Sequence, residues 1–410
     1  MKVALLGFGT VGSSVARILC DLRPDGIELS HIFNRGIARK MVDWVPSRVI
    51  WTENFDDVLR SDADVIVELI GGLDPAGTWV RSVLETGKSV VTGNKKLIAQ
   101  SGVELDHLAR SKGAHLLYGA AVAGGIPVIP GLLQGLAGDR ITRIEAILNG
   151  TCNYILSRME AGAAFADVLH DAQQLGYAEA DPTEDVAGYD ARAKLVILSR
   201  IALRADVAVE SVACRSITEV DAVDLVYARD LGCTIRQISK AEVGNRGISA
   251  AVGPMLVPLR SPFAWSRSTE NMVLVSGQYG GDVVFSGHGA GGHPTAVAVV
   301  SDLISLAHGA SSVDLPSRAA NPGGEFMLRH YIRFVVHDRP GIVAEIAGAL
   351  ATEQINIDAL FQRPGYEKGR LPFVVTVEPC AASALRRAID RIAHAAWLAH
   401  PPLDMPMLGE

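Results

Sequence analysis

The chain lacks three features that would point to whole classes of protein. Its 410 residues hold only five cysteines, none arranged as CxxC, so we expect no disulfide framework and interpret them as reduced thiols of a cytoplasmic protein. No apolar run reaches the roughly 18–20 residues of a membrane span. No basic run occurs either, and the net charge is −7, which argues against nucleic acid or an anionic membrane as a partner.

The chain is long enough for two or three domains, each with its own core. Residues 1–130 alternate short apolar strands with amphipathic helices, a pattern that predicts a Rossmann-type, doubly wound parallel sheet of the α/β class. The predicted elements there are the strands Val3–Leu6, Glu28–Phe33, Val65–Leu69, Ser89–Val91 and His115–Tyr118 and the helices Val11–Leu22 and Pro75–Thr86.

The rest of the chain divides into three parts. Residues 131–310 mix strand-like stretches with a long helix after Asp181, which indicates an α+β domain with a mixed sheet. Its last helix, residues 295–308, is expected to pack back against the first domain. Residues 311–324 have linker composition, rich in proline and glycine. Residues 325–410 show the pattern of a compact βαββαβ unit.

Three glycines form a GxGxxG fingerprint between a predicted strand and a predicted helix. Gly7 permits a tight turn, Gly9 lets a pyrophosphate approach the backbone, and Gly12 allows the helix to pack closely on the sheet. The alternative is a glycine-rich turn with a structural role only. On the dinucleotide interpretation, the cofactor-binding residues are Phe8, Gly9, Thr10, Val11 and Gly12.

The end of the second predicted strand bears on which dinucleotide binds. An acid there would bond the ribose 2′-hydroxyl of NAD, but the strand ends Phe33-Asn34-Arg35, without an acid. A guanidinium pairs well with a 2′-phosphate, so Arg35 favours NADP over NAD. A solvated basic turn is the alternative.

A catalytic cluster is predicted around residue 190. Asp181 is a good N-cap, so we expect one helix to start here and run through Leu198. Asp190 and Lys194 are then i and i+4 on one face, and Glu179, on the preceding loop, can fold over that face. A lysine beside a carboxylate in a cofactor cleft can donate a proton to a carbonyl oxygen as hydride arrives. A surface ion pair is the alternative.

The ends of two further predicted strands are expected to line the same cofactor cleft. Residues 68–72 end one strand with small residues that would let a nicotinamide ring approach the backbone. Lys95 follows the next strand, where it can contact cofactor and substrate together. Both fall at the carboxyl ends of strands, where open α/β sheets bind ligands.

Seven motifs occur in an order and spacing that resemble the homoserine dehydrogenases, over residues 1 to about 310. They are GFGTVG, VELIGG, VVTGNK, AAVAGGIPVI, NGTCNYIL, GYAEADPTEDVAGYDARAK and GHGAGGHPTA. The resemblance implies an NAD(P)-dependent, reversible reduction of L-aspartate 4-semialdehyde to L-homoserine, with residues 131–310 as catalytic and dimerisation domain. It also implies roles for single residues: Lys194 as proton donor, Gly176, Glu179 and Asp190 as substrate-binding residues, and Lys95 and Gly289 as cofactor contacts.

The same family often holds a sodium ion on backbone carbonyls. The matching residues here are Val122, Gly124 and Ile126. The family motif usually begins with a glutamate where this chain has Gly119, so the chain departs from the pattern at that position.

Residues 329–410 resemble an ACT domain, on a DRPG turn ahead of a helix and an asparagine that opens the next strand. The resemblance implies a small amino acid, threonine in this pathway, bound at Asp338, Gly341 and Asn356 between paired copies, in a homodimer or homotetramer. Helix N-terminal amides at the turn suit a carboxylate, and pairing covers an open sheet edge. Deletion after about Pro322 is expected to abolish threonine inhibition and leave an active core. A domain that only dimerises is the alternative.

Two other functions compete with this interpretation. An acylating, phosphate-using semialdehyde dehydrogenase needs a cysteine nucleophile with a nearby base. Cys152 is the one cysteine in a suitable motif, and no histidine near it in sequence is arranged to activate it. A regulatory NAD(P)-sensing protein would not need Glu179, Asp190 and Lys194 together.

Overall fold

The N-terminal part contains a six-stranded parallel sheet. The computed structural model describes residues 1–245, 247–309, 320 and 324–409. Strands β1–β6 lie in the order β3-β2-β1-β4-β5-β6, all parallel, which confirms the predicted Rossmann sheet. The elements are β1 Lys2–Leu6, α1 Thr10–Leu22, β2 Glu28–Phe33, β3 Ile50–Thr52, α2 Phe55–Arg60, β4 Val65–Glu68, α3 Ala76–Glu85, β5 Ser89–Thr92, α4 Lys95–Ser111 and β6 Leu116–Leu117.

The central part contains a largely antiparallel sheet. Its strands lie in the order β12-β11-β7-β9-β10, with the short β8 pairing parallel to β10, so the predicted mixed sheet is confirmed. The elements are α5 Val128–Pro130, β7 Ile141–Ile147, α6 Gly150–Glu160, α7 Phe165–Gln174, α8 Thr183–Val186, α9 Tyr189–Ala202, β8 Ala213–Cys214, α10 Ala222–Asp230, β9 Cys233–Gly244, β10 Gly247–Pro258, α11 Pro262–Trp265, β11 Glu270–Gly277, β12 Gly281–His288 and α12 Gly292–Ala307.

Helix α12 packs against helix α1 of the N-terminal part. It buries Ala296, Val299, Val300 and Leu303 in the same apolar cluster as residues of β1 and α1. This return of the chain places the glycine-rich turn before α12 beside the GxGxxG turn before α1.

The C-terminal part has the predicted βαββαβ order. Its elements are β13 Met327–Val336, α13 Ile342–Thr352, β14 Ile357–Phe361, β15 Leu371–Ala381, α14 Ala382–Asp390 and β16 Leu398–Met407. The strand order is β16-β13-β15-β14, and a single parallel bridge, Leu256 to Met407, joins β16 to β10. Nearly all of the predicted linker, residues 311–324, lies outside the described residues.

The C-terminal sheet has one face against its own helices and the other against α10 and α6. The second face contributes Tyr331, Leu403 and Met405 to an apolar cluster shared with the central part. The Tyr331 hydroxyl donates to Oδ1 of buried Asp224, 2.7 Å away, and Arg333 pairs with Oδ2 of the same carboxylate. Deletion of the C-terminal part would expose this apolar cluster to water and remove both partners of Asp224. Point substitutions therefore test the role of the C-terminal part better than truncation.

Candidate active site

A cavity of about 610 Å³ lies between the N-terminal and central parts. The predicted site residues that line it are Lys95, Gly176, Glu179, Asp190, Lys194 and Gly289. A neighbouring cavity of about 290 Å³ shares Lys95, Lys194 and Gly289 and extends to Thr10, Val11 and Gly124. The substrate and cofactor residues predicted from sequence are therefore adjacent in space.

At the base of the cavity, two lysines flank one buried carboxylate. Lys194 Nζ donates to Asp190 Oδ2 at 2.7 Å, and Lys95 forms an ion pair with Oδ1. Burial alone would raise the pKa of Asp190, but the two ammonium groups lower it well below its usual range. Burial lowers the pKa of Lys194, against the opposing effect of Asp190. Asp190 is therefore ionised, and Lys194 is a better acid than an exposed lysine.

The backbone before α6 completes the cluster. The carbonyl of Leu148 accepts from Lys194 Nζ at 2.7 Å and from Asn271 Nδ2 at 3.0 Å. Lys194 therefore has two of its three N–H donors occupied by Leu148 and Asp190, and the third remains for a ligand. The buried Oδ1 of Asn271 has no partner among the described residues, so it too can accept from a ligand.

Asn149 connects this cluster to helix α6. Its side-chain oxygen accepts from the Cys152 amide at 2.8 Å and caps the helix. Its amide group donates to Asp185 at 2.7 Å and to Asp190 at 3.0 Å. Asn149 and Asn271 were not predicted as site residues. Asn149 opens the NGTCNYIL motif, which was a usable signal, whereas the sequence around Asn271 offered none.

The single helix predicted from Asp181 through Leu198 is wrong. The chain forms the short helix α8, reverses at Gly188 with φ 85°, and begins α9 at Tyr189. Asp181 accepts from the Thr183 amide at 3.1 Å, but the N-cap of α8 is Pro182, one residue later than predicted. Gly188 adopts a left-handed conformation that interrupts the helix. Asp190 and Lys194 remain i and i+4, on α9 alone.

Glu179 lies on an exposed loop at the mouth of the cavity. Its carboxylate has no partner within the described parts of the chain. Gly176, at φ 73°, begins the loop, and the side chain of Gln173 holds the Glu179 carbonyl at 3.1 Å. The loop backbone is thus anchored, while the Glu179 carboxylate stays available to a cationic group.

The GxGxxG turn fits a pyrophosphate. A Cβ on Gly12 would lie 2.1 Å from the Gly7 carbonyl oxygen, and a Cβ on Gly9 would meet nothing within 4 Å. Helix α1 begins after Gly9 without a side-chain cap, so its first amides are available to an anion. The Phe8 amide donates to Asn34 Oδ1 at 3.2 Å. This bond ties the turn to the end of β2, where Arg35 is exposed.

The structure explains why the loop predicted to bind sodium has Gly119 where the family motif usually has a glutamate. The Gly119 amide donates to Asp302 Oδ2 at 2.8 Å, and a Cβ on Gly119 would lie 2.8 Å from Asp302 Oδ1. A glutamate at residue 119 would therefore collide with a carboxylate that α12 already supplies. Burial raises the pKa of Asp302 to about 7.

The DRPG turn lines a cavity of about 340 Å³ that includes Asp338 and Gly341. Gly341, at φ 99°, is the N-cap of α13 and has no side chain to satisfy the helix amides. Asn356 does not line this cavity. It follows the far end of α13 and donates to Glu378 at 3.0 Å, because a residue after a helix lies one helix length from the turn that begins it.

Comparison with known proteins agrees with the geometry. The homoserine dehydrogenase NAD-binding domain family matches residues 7–119, the homoserine dehydrogenase family matches residues 127–304, and the ACT domain family matches residues 330–393. The homoserine dehydrogenase of Mycobacterium tuberculosis is 39% identical over 95% of this chain and 93% of its own length.

Solved structures show the same relationship. The homoserine dehydrogenase of Thiobacillus denitrificans superposes with a TM-score of 0.92 at 34% identity, covering 100% of this chain and 98% of that one. A hyperthermophilic archaeal homoserine dehydrogenase in complex with NADPH gives 0.64 at 26% identity, covering 75% of this chain and 97% of that one. The chain therefore belongs to the homoserine dehydrogenase family, as an NAD(P)-dependent oxidoreductase of CH–OH groups that carries an ACT domain.

Proposed function

We propose that this chain reduces L-aspartate 4-semialdehyde reversibly to L-homoserine in threonine and methionine biosynthesis, with Lys194 as the proton donor. The observation that carries the proposal is the environment of Lys194. Its ammonium group is held by Asp190 and the Leu148 carbonyl, each at 2.7 Å, and lines the cavity that also contains Glu179. A fixed lysine with one free donor suits protonation of a carbonyl oxygen.

When bound, the reduced nicotinamide supplies the hydride that the aldehyde carbon accepts. Lys194 gives its proton to the carbonyl oxygen, so the aldehyde becomes an alcohol and the lysine becomes neutral. The hydrogen bonds to Asp190 and to the Leu148 carbonyl orient the ammonium group of Lys194, so that its third N–H donor is available to the substrate. Glu179 pairs with the substrate ammonium, and Gly176 lets the loop backbone approach the substrate. In the reverse direction, neutral Lys194 removes the hydroxyl proton.

This mechanism predicts opposite pH dependences for the two directions. Reduction needs protonated Lys194, so its kcat should fall as pH rises through the pKa of that residue. Oxidation of homoserine needs neutral Lys194, so its kcat should rise over the same interval. Burial lowers the pKa of Lys194 from 10.5. The fall of kcat for reduction and the rise of kcat for oxidation should therefore both occur below pH 10.5. Profiles of kcat against pH for reduction and for oxidation check this. If kcat changed in the same direction with pH for both reactions, Lys194 would not be the proton donor.

We infer that the preferred cofactor is NADPH and that NADH is the weaker alternative. Phe8, Gly9, Thr10, Val11 and Gly12 would hold the pyrophosphate, and Lys95 and Gly289 would contact the nicotinamide half. The family relationship to a homoserine dehydrogenase in complex with NADPH supports this choice, as does the exposed Arg35 at the end of β2.

Replacing Arg35 with alanine should therefore raise KM for NADPH by about tenfold or more, because a charge-assisted bond to the 2′-phosphate is lost. KM for NADH should stay nearly unchanged. Arg60→Ala is a matched control, since Arg60 is exposed on α2 and pairs only with Asp56 among the described residues. Equal changes in both KM values would show that Arg35 does not contact the 2′-phosphate.

We also propose a sodium ion on the carbonyls of Val122, Gly124 and Ile126. Hard cations prefer oxygen ligands, and left-handed conformations at Ala123 and Gly124, φ 58° and 52°, turn this backbone sharply. The Ile126 carbonyl accepts from the Val128 amide at 2.7 Å, which leaves one lone pair for an ion. Asp302 adds a carboxylate beside the loop.

We further propose that the ACT domain senses threonine at Asp338 and Gly341, between paired copies of a cytoplasmic homodimer or homotetramer. The support is the cavity at the turn and the uncapped start of α13. All five cysteines are unpaired, as a reducing compartment favours. No helix in the described segments is both long and apolar enough to cross a bilayer.

Val343→Glu is expected to abolish threonine inhibition, because a carboxylate placed in the first turn of α13 repels the carboxylate of the ligand. Val343 is half exposed and lines the cavity, so the fold should tolerate the change. Val343→Gln is the matched control, with similar size and no charge. The concentration of threonine that halves the rate should rise about tenfold or more for glutamate only. Equal inhibition of both variants would place the effector elsewhere.

A further inference from the structure

A second cleft, of about 500 Å³, lies between the central part and the C-terminal sheet, beside the face of the sheet that packs against α10. One wall carries Glu219 and Asp221, just before α10, and the other carries Arg333, Arg370 and His400. The turn at residues 338–341 lines a different cavity. No role proposed above uses this cleft.

The cationic wall has unused hydrogen-bonding capacity. Arg370 bonds to Nε2 of His400 at 2.8 Å, and among the described residues it has no carboxylate partner. The imidazole nitrogen must accept in this bond, since a guanidinium only donates. Arg333 adds positive charge, but its guanidinium already pairs with Asp224 and donates to the Glu219 carbonyl at 3.5 Å. The free donors of this wall are therefore those of Arg370. This wall therefore offers donors and positive charge to an anionic group.

The opposite wall is anionic. Glu219 is exposed, and its carboxylate makes no ion pair within the described ranges. Asp221 is the N-cap of α10, and its carboxylate accepts from the backbone amides of Ala222, at 2.6 Å, and of Asp224. Val223, Val335 and Leu403 add apolar side chains to the lining of the cleft. Both signs of charge and apolar side chains thus line a volume within the usual range for small ligands, roughly 300–1,000 Å³.

We propose that this cleft binds a small α-amino acid as a zwitterion, at a site within one chain and separate from the DRPG turn. The carboxylate pairs with Arg370, the ammonium pairs with Glu219, and the side chain lies on Val335 and Leu403. A ligand of one charge would leave one wall without a partner. The site therefore selects amino acids over simple acids or amines.

The position of the cleft gives such a ligand a route to catalysis. Helix α10 contacts α6, and the N-cap of α6 is Asn149, which donates to Asp190 at 3.0 Å. An amino acid bound against α10 and the C-terminal sheet would stabilise their contact. The proposal thus adds a second regulatory site to the proposed function.

Isothermal titration calorimetry on the full-length protein tests this, with L-threonine, L-valine and L-methionine as probes. At least one probe should bind, and its affinity should fall about tenfold or more in Arg370→Ala and in Glu219→Gln, because each change removes one charge-assisted contact. Arg391→Ala is the matched control, since Arg391 is exposed, pairs with Glu353, and lines neither this cleft nor the cavity at the DRPG turn. Valinamide, without a carboxylate, and isovalerate, without an ammonium group, should bind much more weakly than valine.

Three results would overturn the proposal. One is the absence of binding by every probe. Another is binding that Val343→Glu removes and Arg370→Ala leaves intact, which would assign the ligand to the DRPG turn. The third is equal binding of valine, valinamide and isovalerate. Turnover is measured separately, so a protein that binds the probe but does not reduce the semialdehyde would contradict the proposed function alone.

Discussion

Replacing Lys194 with methionine is expected to lower kcat for semialdehyde reduction by about 10²–10⁴-fold, the usual loss when a positioned general acid is removed. The affinity for NADPH should change little, because the proposed pyrophosphate contacts lie on the GxGxxG turn. Methionine retains the length of the buried stem, and Lys95 still pairs with Asp190. The fold should therefore survive while proton donation is lost.

Lys96→Met is the matched control. Lys96 lines the same cavity, but it is exposed and pairs with Glu184 at 3.0 Å, so its loss should affect kcat only slightly. Steady-state NADPH oxidation measures kcat, and fluorescence titration measures NADPH binding. A Lys194→Met enzyme that kept more than about a tenth of the wild-type kcat would lie outside the range for a general acid.

Asp190→Asn is expected to have the second largest effect, on both stability and pH dependence. Loss of one partner of a buried ion pair typically costs about 3–5 kcal/mol, because the remaining charge stays buried. Asp190 opposes the effect of burial on Lys194, so its removal lowers the pKa of Lys194 further. The fall of kcat for reduction should then occur at lower pH. The rise of kcat for oxidation, which needs neutral Lys194, should also occur at lower pH.

Asp185→Asn provides the comparison. Asp185 accepts from Asn149 at 2.7 Å and makes no ion pair with either lysine in the described residues. Its replacement should therefore shift the pH dependence of kcat less than Asp190→Asn does. Urea unfolding and kcat profiles measure the two effects. If a folded Asp190→Asn enzyme kept the wild-type pH dependence of kcat, Asp190 would have no influence on the protonation of Lys194.

The Rossmann and ACT folds could be predicted because their local signals agree with their tertiary structure. The glycine fingerprint and alternating elements identified the N-terminal sheet, and the DRPG turn identified the start of α13. Strand β3 was missed because three residues, Ile50–Thr52, carry too little periodicity. The hairpin of β9 and β10 was missed because Pro254 and Pro258 lie within β10, where proline usually argues against a strand.

The site was predictable where its residues are close in sequence. Asp190 and Lys194 share one helical turn, so spacing alone brought them together. The contacts that complete the site are not local: Leu148 and Lys194 are separated by 46 residues, and Asn271 and Leu148 by 123. A backbone carbonyl also carries no sequence signal. Spacing likewise could not show that Asn356 lies at the end of α13 remote from Gly341.

The most direct measurement counts NADPH consumed and homoserine formed in the same reaction with L-aspartate 4-semialdehyde, for the wild-type enzyme and for Lys194→Met. We expect one homoserine formed for each NADPH oxidised by the wild-type enzyme, and both rates lowered together in Lys194→Met. NADPH oxidation without homoserine would contradict the proposed reaction. Homoserine formed by Lys194→Met at the wild-type rate would contradict the role of Lys194 as proton donor.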